Sequence, residues 1–164
     1  MRFLSAVLLL FVSLGWAQPQ LEMTPRGFAP IELPSPNKPN EKLMEAVEAW
    51  VPYYNKKGHD IYDLTTSSAS IDAFKEYAYF YYNTGDRYDC NIVYTLKVVF
   101  NPNKTYTLTF SVKEIYAKQT LTKTTVADFF TPDGKLKDDF ADVKPSLEKT
   151  ANRIVKSFAE FIAN

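Results

Sequence analysis

Two adjacent segments of the chain alternate between large apolar and polar side chains, and this pattern constrains the fold more than any other feature. In the first segment every second residue is apolar: Ile92, Tyr94, Leu96, Val98 and Phe100. In the second segment the same holds for Tyr106, Leu108, Phe110 and Val112. The intervening residues 101–104 read Asn-Pro-Asn-Lys, which is typical of a turn. A period of two on both sides of a turn predicts an antiparallel hairpin with one buried and one solvated face.

Helical periodicity marks two segments that flank the strands. Apolar residues recur three and four positions apart over residues 41–51, and again over residues 145–162. A shorter helix is predicted at residues 126–130. We expect five large side chains to anchor the core: Trp50, Tyr94, Leu96, Phe110 and Phe158.

The order of these elements predicts the fold class. Short strands near residues 28–33 and 61–64 and a strand at 73–82 precede the hairpin, so the chain alternates strand, helix, a run of strands and a last helix. Successive strands of this kind pair antiparallel, and the helices then collect on one face. The prediction is an α+β domain with an antiparallel sheet of four to six strands. An N-proximal and a C-terminal helix cover one face, and the other face is partly open.

The start of the chain predicts export. Residues 1–17 combine an early arginine, an apolar run and small residues before the cleavage position, as a cleavable signal peptide does. The run is shorter than the roughly 20 apolar residues of a bilayer span, so a retained membrane anchor is the less favoured alternative. Residues 18–26 are predicted to be an extended leader, and residues 27–164 a single domain. We expect a periplasmic or secreted protein with no transmembrane span after signal cleavage.

Composition argues against several classes of function. The sequence carries 19 Lys+Arg and 19 Asp+Glu residues, without the clustered basic excess that nucleic-acid binding requires. Cys90 is the single cysteine, so no intramolecular disulfide can form. One histidine and one cysteine cannot complete a zinc site. We therefore predict no metal, no cofactor and no nucleic-acid partner.

Sequence signals of catalysis are weak. The Gly-x-Ser-x-Gly turn of serine hydrolases is absent, and the glycines are isolated rather than grouped in a phosphate-binding loop. A Cys90–His59 pair would have to be assembled by the fold, and a free cysteine is more often a small buried hydrophobe. Carboxylate pairs for glycoside hydrolysis remain open in several combinations, among Asp60, Asp63, Glu76 and Glu114. No catalytic residue is predicted.

The strongest candidate for a binding surface is an aromatic strand near the middle of the chain. With a period of two, Tyr77, Tyr79 and Tyr81 lie on one side of this strand, while Phe80 and Tyr82 lie on the other. Exposed aromatic patches mark interaction surfaces. We therefore predict that the three tyrosines contact an unknown protein or a small apolar ligand. The alternative is that packing covers both sides of the strand.

As a pattern of elements, the chain resembles a known family. The likeness is carried by the strand at 28–33, the helix at 41–51 with Trp50, the hairpin at 91–116, and the Asp-Phe-Phe and Pro-Asp-Gly segments within 128–134. The family consists of exported proteins of unknown function from Bacteroidetes-type Gram-negative bacteria, with a TATA-binding-protein-like (TBP-like) fold. The resemblance implies that fold and that compartment, and it brings no catalytic residues. The DNA-binding role of the namesake does not transfer with the fold.

These features favour an exported, non-enzymatic binding or interaction module whose ligand the sequence does not identify. The alternative is a small carrier that holds an apolar ligand between sheet and helices. A small hydrolase, built on Cys90 or on a carboxylate pair, is the third hypothesis.

Overall fold

The computed structural model describes residues 19–117, 119–123 and 125–164. The predicted signal peptide, residues 1–17, lies outside the described residues. Within the described part of the chain, no helix has the length and apolarity of a membrane span.

The described residues form eight strands, two α-helices and two short 3-10 turns. In chain order they are β1 (Met23–Thr24), β2 (Gly27–Phe28), β3 (Ile31–Pro34), α1 (Asn40–Tyr54), β4 (His59–Tyr62), β5 (Ser68–Asn83), β6 (Asp86–Phe100), β7 (Thr105–Ala117), β8 (Thr120–Lys123), the 3-10 turns Val126–Phe129 and Asp138–Phe140, and α2 (Val143–Ala163).

Six of the strands form one antiparallel sheet with the order β3-β7-β6-β5-β4. β8 pairs with the far end of β7, beyond the part that pairs with β3. The predicted hairpin is β6 and β7, with Leu96 opposite Phe110. The strand predicted at 73–82 is the second half of the longer β5. The predicted fold class, an α+β domain built on an antiparallel sheet of four to six strands, is confirmed.

Both helices cover the same face of this sheet, because each buries one apolar stripe. Trp50 of α1 is fully enclosed where the two helices meet. Its indole ring stacks on Tyr54 at 5.2 Å and meets Phe158 of α2 edge-on at 5.1 Å. Its Nε1 donates a hydrogen bond to Ser157 Oγ at 3.2 Å. The residues expected to anchor the core are each at most 1% exposed: Trp50, Tyr94, Leu96, Phe110 and Phe158.

The core also contains a polar link between the sheet and α1. Tyr94 Oη donates to Asn55 Oδ1 at 2.6 Å, and Asn55 Nδ2 donates to the carbonyl oxygen of Val51 at 3.0 Å. Burial raises the pKa of Tyr94, so its phenol stays a neutral donor. Pairing these groups avoids the cost of a buried polar atom without a partner, and it fixes the end of α1 over the centre of β6.

Residues 21–24 are extended but packed into the domain. The prediction that residues 18–26 form a leader outside the domain is therefore wrong for this part. Leu21 and Met23 are 2% and 0% exposed. Their backbone N–H groups donate to side chains of α2, Leu21 to Asn152 Oδ1 and Met23 to Glu148 Oε1, both at 2.7 Å. β1 and β2 form a small antiparallel ribbon of their own. The prolines of this segment exclude a helix, but they do not prevent burial in extended form.

We predict that Trp50→Ala lowers the free energy of unfolding by about 3–5 kcal/mol, because it removes the largest side chain enclosed between α1 and α2. Urea denaturation followed by circular dichroism measures this change. The control is Tyr53→Ala on the same helix, which removes a ring that is 63% exposed and should change stability by less than about 1 kcal/mol. Wild-type stability of Trp50→Ala would show that the helix does not depend on this contact.

Candidate binding groove on the open face of the sheet

The face of the sheet that the helices leave uncovered is polar over its centre. There Asp72 of β5 accepts hydrogen bonds from the three neighbouring strands: Tyr62 Oη at 3.0 Å, Thr95 Oγ1 at 2.5 Å and Lys113 Nζ at 2.6 Å. Burial favours the neutral acid, but the donated hydrogen bonds outweigh it and lower the pKa of Asp72 from its ordinary value. Each strand from β4 to β7 contributes one member, so the network connects the sheet laterally.

Beyond this network, β5 departs from regular strand geometry. Lys75 is paired with Ile92 and Tyr79 with Cys90, so the three residues 76–78 face Asn91 alone. This is a β-bulge, which inserts residues into one strand and turns their side chains away from the regular alternation. At its centre, the Tyr77 N–H donates to Asn91 Oδ1 at 2.9 Å. The bulge is therefore held by a side chain of β6 in place of a ladder hydrogen bond.

Tyr77 has an unusual backbone and an unusual exposure. Its φ is 50°, in the left-handed region that a bulky side chain rarely adopts. Its ring is 74% exposed, the largest exposure among the large apolar side chains of the described residues. Backbone strain of this kind costs about 1–3 kcal/mol and persists only where the surrounding structure fixes it. The bulge thus lowers the stability of the fold and presents one aromatic ring to solvent.

The prediction that Tyr77, Tyr79 and Tyr81 form one exposed binding surface is wrong. Tyr79 is 3% exposed and packs edge-on against Phe129, with ring centroids 5.6 Å apart. Tyr81 is half-buried, stacked on Tyr88 at 5.3 Å and packed against Phe140 at 5.7 Å. Only Tyr77 is exposed, because the bulge takes it out of the alternation that Tyr79 and Tyr81 follow. The sequence around Tyr77 contains no glycine, the usual signal of a left-handed position.

Tyr77 stands at the rim of a groove of about 1120 Å³ that is open to solvent. Three further aromatic side chains line it, Phe74 of β5, Tyr88 of β6 and Tyr116 of β7, and the ring centroids of Phe74 and Tyr116 are 6.4 Å apart. The rest of the lining is polar and comes mainly from the start of β6 and the segment before β8: Glu76, Asp86, Arg87, Asp89, Asn91, Gln119 and Thr120. The arrangement combines flat apolar surfaces with planar hydrogen-bonding groups.

Two charged side chains of the groove, Arg87 and Asp89, are paired with one another. Arg87 donates from Nε and Nη2 to Asp89 Oδ1, at 3.0 and 2.7 Å. Its guanidinium also lies over the ring of Phe80, 4.2 Å from the centroid, a favourable cation–π geometry. Glu76 Oε2 lies 3.4 Å from Lys57 Nζ. The guanidinium of Arg87 is thus held in one plane at the groove. The lining of the groove is mildly acidic.

A smaller pocket of about 290 Å³ lies where β5 and β6 meet the two 3-10 turns. Aromatic rings line it, from Tyr79, Tyr81, Phe129 and Phe140, together with the thiol of Cys90. Burial raises the pKa of Cys90, and a hydrogen bond from Tyr79 only partly opposes this. Cys90 is 1% exposed, and its thiol is protonated at neutral pH. The aromatic rings share the lining with polar side chains, those of Asn83, Thr122, Lys123 and Asp139.

A third concavity, of about 870 Å³, lies at the opposite end of the sheet, between residues 35–40 and the β6–β7 turn. Its lining is mostly polar and belongs to loops that bond to one another, as in the Ser35 N–H to Lys104 O hydrogen bond of 2.9 Å. No aromatic ring among the described residues projects there with the exposure of Tyr77. This concavity therefore ranks below the groove as a candidate site.

The structure does not bring together Cys90 and His59, the nucleophile and base of one form of the hydrolase hypothesis. His59 pairs with Ala73 on the edge of the sheet, and Ala73 pairs with Tyr94, four residues along β6 from Cys90. Two strand spacings and four residues separate the histidine from the cysteine, roughly 16 Å. His59 Nδ1 is instead 3.1 Å from the carbonyl oxygen of Asn55. Among the described residues, no group of three or more His, Cys, Asp or Glu side chains could hold a metal ion.

Comparison with known proteins shows which solved structures share the fold of this chain. No protein-family profile matches the sequence, and no curated protein matches it significantly. Among solved structures, a DUF4468 family protein from Bacteroides ovatus superposes with a TM-score of 0.65 at 10% identity, over 85% of this chain and 88% of the other. A TBP-like protein from Parabacteroides distasonis superposes with a TM-score of 0.53 at 13% identity, over 83% of this chain and 92% of the other.

The fold is TBP-like. The TBP-like fold that the sequence resemblance implied is confirmed, and the two structures come from the group of bacteria that the resemblance named. At identities of 10% and 13% the similarity shows the fold alone. Neither name states an activity or a ligand, so function is argued from the surface of this chain.

We predict that Tyr77→Gly is more stable than Tyr77→Ala by about 1 kcal/mol, because alanine keeps a Cβ at a left-handed position and glycine removes it. Urea unfolding of the two variants side by side measures the difference. Both lack the ring, so they differ only in the backbone effect. In a regular strand the order is reversed, with glycine about 0.5–1 kcal/mol less stable, and that result would contradict the bulge geometry.

Proposed function

We propose that the protein is an exported, non-enzymatic binding module that contacts its ligand through the groove around Tyr77. The observation that carries the proposal is the left-handed backbone of Tyr77 together with the 74% exposure of its ring. A strained residue that presents an aromatic ring beside a groove is better explained by binding than by stability, since strain accumulates at functional sites and exposed rings mark interaction surfaces.

The non-enzymatic part of the proposal rests on the distribution of reactive groups. Cys90 is buried with a raised pKa, and His59, the single histidine of the sequence, lies two strands away on the edge of the sheet. The carboxylate most tightly bound on the open face, Asp72, has a lowered pKa, which suits a structural anion better than a general acid. These groups support binding more than bond cleavage.

Export is proposed from the first residues of the sequence. A charged start, an apolar run and small residues before position 18 are the three parts of a signal peptide. A mature domain with a single, deeply buried cysteine avoids the disulfide exchange to which exposed thiols are open in an oxidising compartment.

A carrier for a small apolar ligand is the second candidate, favoured by the aromatic pocket of about 290 Å³ beside Cys90. Its volume lies at the lower end of small-molecule sites, which span about 300–1,000 Å³. In this case the ligand would contact Phe140 and Tyr81 and would not touch Tyr77.

The proposal is tested by ligand-observed saturation-transfer NMR of the protein with three probe pools: neutral oligosaccharides, synthetic peptides and fatty acids of twelve to sixteen carbons. We expect signals from one pool that disappear in Tyr77→Ala and persist in Tyr53→Ala. Tyr53 is a matched control, because its ring is also largely exposed but lies on α1.

Two outcomes would contradict groove binding. If no pool gives signals that depend on Tyr77, the groove is not the site. If fatty acids bind, and their signals depend on Phe140→Ala but not on Tyr77→Ala, the carrier function replaces it.

A further inference from the structure

The groove around Tyr77 combines two kinds of surface. One is apolar, formed by the rings of Tyr77, Phe74, Tyr88 and Tyr116. The other consists of planar polar side chains, including the amides of Asn91 and Gln119. A ligand that fits both must have an apolar face and a hydrogen-bonding edge. Sugar rings have this property, since their axial C–H bonds form an apolar face and their hydroxyls point outward along the rim.

We propose that the groove binds a neutral oligosaccharide, with a sugar ring packed on Tyr77 and its hydroxyls bonded to the polar side chains of the lining. This inference rests on the proposed binding function and specifies its ligand class. Tyr77 suits such contact because its side chain is largely exposed beside the groove and the bulge fixes the backbone that carries it.

The polar side of the groove is organised for hydroxyl groups. Asp89 holds Arg87 through two hydrogen bonds, and the ring of Phe80 supports the guanidinium from its other side. The remaining N–H groups of Arg87 and the second carboxylate oxygen of Asp89 can therefore meet hydroxyls in a fixed geometry, one as donor and one as acceptor. Fixing such groups in advance lowers the entropy cost of binding.

The charge of the lining disfavours anionic ligands. Glu76, Asp86 and Asp89 supply three carboxylates, against the guanidinium of Arg87 and the ammonium of Lys57 that lies 3.4 Å from Glu76. A phosphorylated or sulfated ligand would meet net negative charge, whereas a neutral sugar is unaffected by it.

The lining of the groove comes from side chains on one face of β5, β6 and β7, so its ligand contacts side chains rather than a strand edge. Beyond Ala73, β5 pairs with β6 alone, so a peptide that joined the outer edge of β5 would bind in a different mode. The groove's volume of about 1120 Å³ and its open shape suit several linked sugar units better than one enclosed monosaccharide.

The test is isothermal titration calorimetry of the protein with four neutral probes: maltohexaose, cellohexaose, xylohexaose and N-acetylchitohexaose. We expect at least one to bind, and Tyr77→Ala to weaken it by roughly tenfold or more through loss of the aromatic contact. Tyr53→Ala should bind like the wild type. In the ¹⁵N spectrum, the side-chain amides of Asn91 and Gln119 should shift on titration, while that of Asn37 at the opposite end of the sheet should not.

Failure of this inference is distinct from failure of the binding function. No binding of any of the four sugars at about 10 mM, or binding that Tyr77→Ala leaves unchanged, overturns the oligosaccharide proposal. If peptides bind instead, with the same dependence on Tyr77, the groove remains the binding site and its ligand is a polypeptide.

Discussion

The two helices pack on one face of the sheet only and are joined to each other by the contact of Trp50 with Phe158, and the rest of the structure depends on this asymmetry. The alternation of β6 and β7 places Tyr94, Leu96 and Phe110 beneath the helices, where they are fully buried. The same alternation puts polar side chains on the other face, which Asp72 connects across four strands. One face therefore supplies stability, and the other is left available for contacts outside the chain.

The bulge in β5 shapes the part of that face that we propose as the binding site. Without it, position 77 would continue the alternation of Tyr79 and Tyr81, which pack against Phe129 and Phe140. With it, the ring of Tyr77 projects beside Phe74 and Tyr116, and the strain of its left-handed backbone is held by Asn91. Local departures from an otherwise regular fold are expected where function imposes a second requirement on the sequence.

Periodicity explains which parts of the molecule could be predicted from sequence. The β6–β7 hairpin and α2 repeat their apolar residues over many turns or pairs, so each repeat adds to the same assignment. The segment that contains Leu21 and Met23 is too short to show a period. Its prolines predict an extended chain, but they do not show that tertiary contacts with α2 bury it. The sequence pattern predicts an exposed Tyr77, but it does not predict that Tyr77 is separated from Tyr79. A bulge is set by cross-strand contact with Asn91, and a local pattern that contains no glycine does not reveal it.

The claim that the bulge creates the binding site is tested most directly by removing it. A variant that lacks Tyr77 and Ala78 leaves one residue opposite Asn91 and keeps Lys75 and Tyr79 on their present faces, because two deleted residues preserve the alternation. Its titration with the four hexasaccharides, after a thermal melt that shows cooperative unfolding, should give a stable fold and no binding. Binding with wild-type affinity, or loss of the cooperative fold, would contradict the claim that the bulge serves binding rather than folding.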